Sequence, residues 1–307
     1  MPSERPEVRP HAAGRLRRCC PMTWREIIDK AGAFLGAKGV PDARVAAELL
    51  AARLLRTGRG ALPQRMDEEP AERFLEAMRR GMARLVKGEP IQYVLGEWDF
   101  RRLTLKCDRR ALIPRPETEE LVTRVLGHLA GREWDHVPVV VDVGTGTGAI
   151  ILSLAREYAG EAAFLGTDVS EEAIALAREN AVLCGLEQKV RFAVADGLDD
   201  IDEPGCVDVI VSNPPYVASA VCDTLDRRIR DFEPRLALDG GATGLDFYDR
   251  YLGDALLVLK PGGAVYFEIG EDQGRALERL LLDYGFADVR IEKDLSGHDR
   301  YASGVMP

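Results

Sequence analysis

Between Thr23 and about Lys87 the chain is rich in Ala, Leu and Arg, and Leu49, Leu50, Leu54 and Leu55 recur at the spacing of a helix face. Thr23 is placed to cap the first helix, and Glu26 three residues on completes a capping box. Gly39-Val40-Pro41 and Gly58-Arg59-Gly60 mark turns between helices. The pattern changes at Gly88. Ile91–Leu95 and Leu103–Leu112 are β-favouring runs around Trp98-Asp99-Phe100, which predicts a hairpin-like linker. The two prolines of Ile113-Pro114-Arg115-Pro116-Glu117-Thr118 hold their predecessors extended, so this block is expected to be non-helical. A helix is predicted from near Glu117 to about Leu129.

From Val137 short apolar runs alternate with helical patterns. Strands are expected at Val139–Val143, Ala163–Thr167, Val190–Ala195 and Val207–Ser212, then at Ala264–Ile269 and near Val289–Ile291 and Tyr301–Gly304. Helices are expected from Gly148 to about Tyr158, at Glu171–Cys184, and at about Leu245–Leu259 and Gln273–Tyr284. Such alternation implies a mostly parallel sheet with helices on both faces, and ligands in such sheets sit beyond the carboxyl ends of the strands. The chain therefore divides into a tail (1–21), a small helical domain (22–87), a hairpin linker (88–116) and an α/β domain (117–307).

Composition narrows the picture. With 307 residues, 46% of them apolar, the chain can bury a sizeable core. A net charge of -10 without a long Lys/Arg run argues against tight non-specific binding to nucleic acid. Cys19, Cys20, Cys107, Cys184, Cys206 and Cys222 form no C-x-x-C pair, which points to reduced thiols and a cytoplasmic protein. No apolar stretch is long enough to span a membrane. The Arg- and Pro-rich tail lacks the apolar region of a secretory signal and reads as disordered. A monomer is expected.

Two segments carry chemistry. The first strand runs into Gly144-Thr145-Gly146-Thr147-Gly148, whose glycines permit a tight turn and close backbone approach to a ligand. Gly144-x-Gly146-x-x-Ala149 also satisfies a relaxed dinucleotide fingerprint, so NAD stands beside an adenosine cofactor at this point. Asp168, ending the second strand, suits ribose hydroxyls; the competing reading is a helix cap, a job Ser170 could also do. Asp196, at the end of the third strand, suits an adenine edge or an ordinary Asp-Gly turn.

The fourth strand delivers Asn213-Pro214-Pro215-Tyr216. An amide nitrogen is a poor nucleophile because its lone pair is delocalised. Fixed acceptors, the Asn213 oxygen and the Pro214 carbonyl, could hold its two N–H groups and aim the lone pair at an electrophilic methyl. The prolines lock φ and remove competing donors, and Tyr216 offers a ring face to a planar group. The bland reading is a rigid turn after a strand. Hydride transfer has no evident use for the tetrapeptide. Methylation of an adenine or guanine amine would use it equally, and a non-catalytic cofactor-binding scaffold is the remaining alternative.

Further blocks are family-specific. Gly88-Glu89-Pro90-Ile91-Gln92-Tyr93, Leu112-Ile113-Pro114-Arg115-Pro116-Glu117-Thr118-Glu119, Glu233-Pro234-Arg235-Leu236-Ala237-Leu238, Glu268-Ile269-Gly270 and Lys293-Asp294-Leu295-Ser296-Gly297-His298-Asp299-Arg300 resemble those of the release factor glutamine methyltransferase family (PrmC/HemK-like) from Met22 to the end. The resemblance implies a Rossmann-like, seven-stranded class I methyltransferase sheet of α/β class with an antiparallel last strand. A small N-terminal helical domain and a β-hairpin linker precede it. The implied cofactor is S-adenosyl-L-methionine, and the implied partners are class I peptide chain release factors, methylated on the glutamine of a Gly-Gly-Gln motif. Gly144, Thr145, Gly146, Thr147, Gly148, Asp168, Asp196, Gly197 and Asn213 would contact the cofactor. Phe100, Arg115, Glu117 and Thr118 would wall the site, and Asn213 to Tyr216 would hold the glutamine. Two positions depart from the family: Gly197 stands where a bulky aromatic is frequent, and Arg101-Arg102 follow Phe100 where a small or aromatic residue is usual.

Overall fold

The computed structural model describes residues 22–307, and the tail expected at 1–21 lies outside them. The chain divides into two compact units, one ending at Met82 and one running from Ala83 to Pro307. The first unit holds α1 (Trp24–Ala37), α2 (Ala43–Leu55), a 3-10 turn at Arg59–Arg65 and most of α3 (Glu72–Val86). Thr23 does cap α1: its hydroxyl accepts from the Glu26 N–H while the Glu26 carboxylate accepts from the Thr23 N–H. The buried stripe of α2 is Ala46, Ala47, Leu50, Ala51 and Ala52, whereas Leu49, Leu54 and Leu55 are only half-buried. Small alanines let helices approach closely, and a Cβ on Gly81 of α3 would fall 2.7 Å from Leu50 Cδ2.

The second unit opens with α4 (Ile91–Leu95) and a hairpin of β1 (Glu97–Phe100) and β2 (Leu103–Lys106). The expected extended run at Ile91–Leu95 is thus a single helical turn. Pro90 starts it, Gly96 ends it in the left-handed region at φ 76°, and the buried Tyr93 donates its hydroxyl to the Ala111 carbonyl at 2.7 Å. That distant contact outweighs the β preference of Ile, Tyr and Val over so short a run. Arg101, at φ 52°, turns the hairpin and locks it down, its guanidinium on the Glu157 carboxylate at 2.7 and 2.9 Å.

Then follow α5 (Pro116–Ala130), β3 (Val139–Val143), α6 (Ala149–Glu157), β4 (Ala163–Asp168), α7 (Glu171–Cys184), β5 (Val190–Val194) and β6 (Val207–Ser212). The short helices α8 (Ser219–Cys222) and α9 (Arg227–Arg230) lead to α10 (Asp246–Val258), β7 (Leu259–Glu268), α11 (Gly274–Asp283), β8 (Ala287–Lys293) and β9 (Asp299–Val305). Helix α5 begins at Pro116 itself, so Glu117 and Thr118 lie in its first turn rather than in an extended block. Proline is well suited there because its missing N–H would be unpaired anyway.

The seven strands run in the order β5-β4-β3-β6-β7-β9-β8, all parallel except β9, which is antiparallel to both neighbours. The central strands are buried on both faces, hence their unbroken apolar runs. Val140, Val209 and Val211 face α5 and α6, while Val141, Val143 and Ile210 face α10 and α11. Among the described residues no helix is long and apolar enough to cross a membrane, and Cys107, Cys184, Cys206 and Cys222 are free thiols.

Phe267 is fully buried on the α10 side and meets Tyr248 edge-on, ring centroids 5.5 Å apart. Phe267→Ala is expected to destabilise the second unit by about 3–5 kcal/mol, read as a lower urea midpoint for its unfolding transition.

Candidate active site

The chain reverses its direction of travel across the sheet between β3 and β6, and a cleft opens at the carboxyl ends of these strands. It encloses about 990 Å³ of empty space, its open mouth included.

Its floor is the loop after β3. Gly144 and Gly146 adopt φ of 72° and 55°, left-handed values that a side chain would strain. Thr145 ties the loop down: its N–H donates to the Thr167 carbonyl at 2.8 Å and its hydroxyl to Asp142 Oδ2 at 2.6 Å. Asp142 is fully enclosed, and burial lifts its carboxyl to about 7 despite the Thr145 hydrogen bond. Asp168 closes the next strand. Its two oxygens accept from the Gly146 N–H at 3.0 Å and the Ser170 N–H at 2.9 Å. Burial raises its pKa above the ordinary aspartate value, against the pull of those two N–H groups. The cap of α7 is Ser170, whose hydroxyl accepts from the Ala173 N–H, so Asp168 is not needed there.

Asn213 and Pro215 line the cleft beside this loop. Their backbone is held from behind by a turn that only glycine permits: at Gly244 (φ 77°) a Cβ would sit 2.3 Å from the Tyr216 carbonyl oxygen. The Gln273 side chain bridges the same two segments, donating to the Tyr216 carbonyl at 3.0 Å and the Gly244 carbonyl at 3.1 Å. Across the cleft, residues 110 to 115 form a wall. The buried Glu233 carboxylate clamps it, accepting from the Ile113 N–H at 3.0 Å and from Arg115 Nη2 at 2.5 Å.

Of the residues singled out in the sequence, Gly144, Thr145, Gly146, Thr147, Asp168, Gly197, Asn213, Pro215, Arg115 and Thr118 line one cleft. The others lie elsewhere. Phe100 is buried in the core with α5 and α6. Glu117 is exposed, its carbonyl accepting from the Tyr301 hydroxyl. The Asp196 carboxylate turns to Arg250 at 2.6 Å. Gly148 caps α6, and Pro214, its ring buried, sits in the chain between the lining residues Asn213 and Pro215. The Tyr216 ring packs on the core around Tyr248, and burial pushes its phenol up to about 12. Arg101 is drawn away to α5 and α6 and does not reach the rim.

Sequence reasoning missed Glu233 as a clamp and two aromatic liners, Phe247 and Tyr251. The signal for the aromatics was their spacing of four on α10, which places them on one face while Tyr248 turns into the core. Tyr251 takes the space beside Gly197, where a Cβ would lie 3.3 Å from its ring.

The doubly wound sheet, the glycine loop and the cleft with Asn213 at its side define a class I, S-adenosylmethionine-dependent methyltransferase. Residues 137–279 match a family model described as a methyltransferase domain, and residues 26–96 match the PrmC N-terminal domain. The release factor glutamine methyltransferase of Caulobacter vibrioides is 40% identical over 73% of this chain and 76% of its own. That of Koribacter versatilis is 37% identical over 93% and 99%. The chain belongs to the release factor glutamine methyltransferase family. Among solved structures, ribosomal protein L11 methylase from Lactobacillus delbrueckii subsp. bulgaricus aligns with 64% of this chain and 79% of its own, at 22% identity and a TM-score of 0.42.

Glu233→Ala is expected to release the wall segment. The Ile113 amide, protected by that carboxylate, then exchanges with deuterium about tenfold faster or more, the scale of the roughly 1.5–3 kcal/mol of a hydrogen bond to a charged group.

Proposed function

We propose that this enzyme transfers a methyl group to the side-chain amide nitrogen of the glutamine in the Gly-Gly-Gln motif of class I peptide chain release factors. The observation that carries this reading is Asn213 beside the glycine loop in one cleft, in a chain that matches the release factor glutamine methyltransferase of Koribacter versatilis over 99% of that protein's length. The same reading takes it as a cytoplasmic monomer that acts on protein rather than directly on nucleic acid.

S-adenosylmethionine, when bound, supplies an electrophilic methyl on a sulfonium sulfur. The residues present suit it. Gly144 and Gly146 leave backbone rather than side chains facing the ligand. Asp168 is a carboxylate at the cleft with only N–H partners among the hydrogen bonds described, which leaves lone pairs for two ribose hydroxyls. Phe247 and Tyr251 offer ring faces on the side where Gly197 has none.

Asn213 Oδ1 and the Pro214 carbonyl would accept the two N–H groups of the glutamine amide. That fixes the plane of the amide and stabilises positive charge growing on nitrogen as the new N–C bond forms and the donor's S–CH3 bond breaks; the donor leaves as a neutral thioether, and the nitrogen sheds one proton to water. Transfer in line needs no covalent intermediate on the protein.

Purified release factor is expected to take up label from methyl-labelled S-adenosylmethionine, and its variant with Gln replaced by Ala in the Gly-Gly-Gln loop to take up none. Label found only on RNA or DNA overturns the substrate. Asn213→Ala is expected to lower turnover by about 100-fold or more while donor binding stays measurable, because the lost contacts belong to the transition state. Near-normal turnover of that variant removes the mechanism.

Asp168→Ala is expected to weaken the affinity for S-adenosylmethionine about 10- to 100-fold, as befits charge-assisted hydrogen bonds. Burial raises the pKa of Asp168 above its ordinary value, so wild-type affinity should fall as the pH drops through that raised pKa. Calorimetry checks both, and the pH dependence should vanish in the variant.

A further inference from the structure

We propose that Glu268, acting through the Thr118 hydroxyl, is a positioning residue that decides which way round Asn213 presents its carboxamide to the cleft. The proposal rests on the reading of Asn213 as the acceptor for the substrate amide. Three elements converge to build it. Ser212 and Phe267 are register partners on β6 and β7, so Asn213 and Glu268 leave the sheet side by side. Thr118 comes from the first turn of α5. Glu268 is 1% exposed and Thr118 4%. The Thr118 hydroxyl donates to Glu268 Oε2 at 2.6 Å, and Asn213 Nδ2 donates to Thr118 Oγ1 at 3.2 Å.

The direction of this chain is forced by proton count. A hydroxyl has one proton, and here the carboxylate takes it. Thr118 can then meet Asn213 only with a lone pair, so the amide must turn its NH₂ inward. The oxygen of Asn213 is left for the cleft, as an acceptor. The reverse orientation would set the Asn213 NH₂ against the NH₂ of a glutamine, donor against donor, and would set its oxygen against the Thr118 lone pairs. Neither Thr118 nor Glu268 needs to touch the reacting atoms for this to matter.

The charge on Glu268 is therefore part of the device. Burial raises its carboxyl to about 7; hydrogen bonds from the Thr118 hydroxyl and, more weakly, from the Asn213 amide itself pull it down together with Arg300 of β9, and Glu117 of α5 pushes it up. Tyr216 lies near from the loop after β6, and Tyr248 of α10 donates its hydroxyl to the Glu268 carbonyl at 2.8 Å. Once protonated, the carboxyl can donate to Thr118, the hydroxyl is free to reverse, and Asn213 loses its preferred sense. Activity should then fall as the pH drops through the neutral region.

The test is kinetic, on the full-length enzyme with release factor as substrate. Thr118→Val keeps the shape and removes the hydroxyl. Its kcat is expected to fall about 30- to 100-fold, the scale of a misaligned reactant, with calorimetric affinity for S-adenosylmethionine changed less than about threefold, since lost orientation and lost donor binding are separable. Thr118→Ser restores the hydroxyl and should recover most of the rate. Glu268→Gln removes the ionisation, so the acid limb of the kcat profile should disappear with it. The proposal is overturned if Thr118→Val turns over at the wild-type rate, or if its loss of rate is matched by an equal loss of donor affinity. It is also overturned if Glu268→Gln keeps the wild-type pH profile. Should the wild type itself fail to label release factor, it is the proposed function that has failed.

Discussion

Parallel pairing of β3 with β6 carries the rest of the structure. The register Val140 to Val209 and Asp142 to Val211 brings the ends of the two strands level, and the Ser212 hydroxyl fastens them by donating to the Val143 carbonyl at 2.6 Å. From that point the chain leaves in opposite directions, through the glycine loop into α6 and through Asn213 toward α8. Backbone groups that would pair within a continuing strand are released there, on either side of one crevice. A glycine loop or an Asn-Pro-Pro-Tyr turn elsewhere on the molecule would have no partner to work against.

Around that crevice carboxylates are used in three different settings. Asp142 is sealed beneath the loop and serves Thr145. Asp168 sits at the cleft wall with only backbone N–H groups on its oxygens. Glu268 is enclosed behind Asn213. Burial pushes all three pKa values upward, since each pays desolvation that hydrogen bonds only partly offset. The neighbours differ, and with them the role each group can take.

Much of this could be read from the chain. The strands at the centre of the sheet announce themselves as unbroken apolar runs because both faces are buried, and Thr23 with Glu26 marks the start of α1 by local chemistry alone. The glycine loop and the residues from Asn213 are contiguous motifs, so sequence holds them together before any folding is considered. Ile91–Leu95 was not legible, because five residues carry too little periodicity and the deciding contact, Tyr93 on the Ala111 carbonyl, lies 18 residues away. Phe100, set at the wall of the site by the family resemblance, packs into the core because an apolar ring next to α5 and α6 has more to gain there. Glu233 on Ile113, and Glu268 on Thr118, join positions 120 and 150 residues apart; nothing in the separate motifs specifies which carboxylate meets which donor.

The Glu233 clamp has a mechanical consequence. One carboxylate grips both the amide of Ile113 and the guanidinium of Arg115, while the residues that follow it, Pro234, Leu236 and Ala237, line the same cleft. Two stretches of chain more than a hundred residues apart are thereby riveted into a single jaw. Any widening of the entrance has to carry both along, or strip a buried anion of its partners. The aperture through which a protein loop reaches Asn213 is set by one side chain that never faces it.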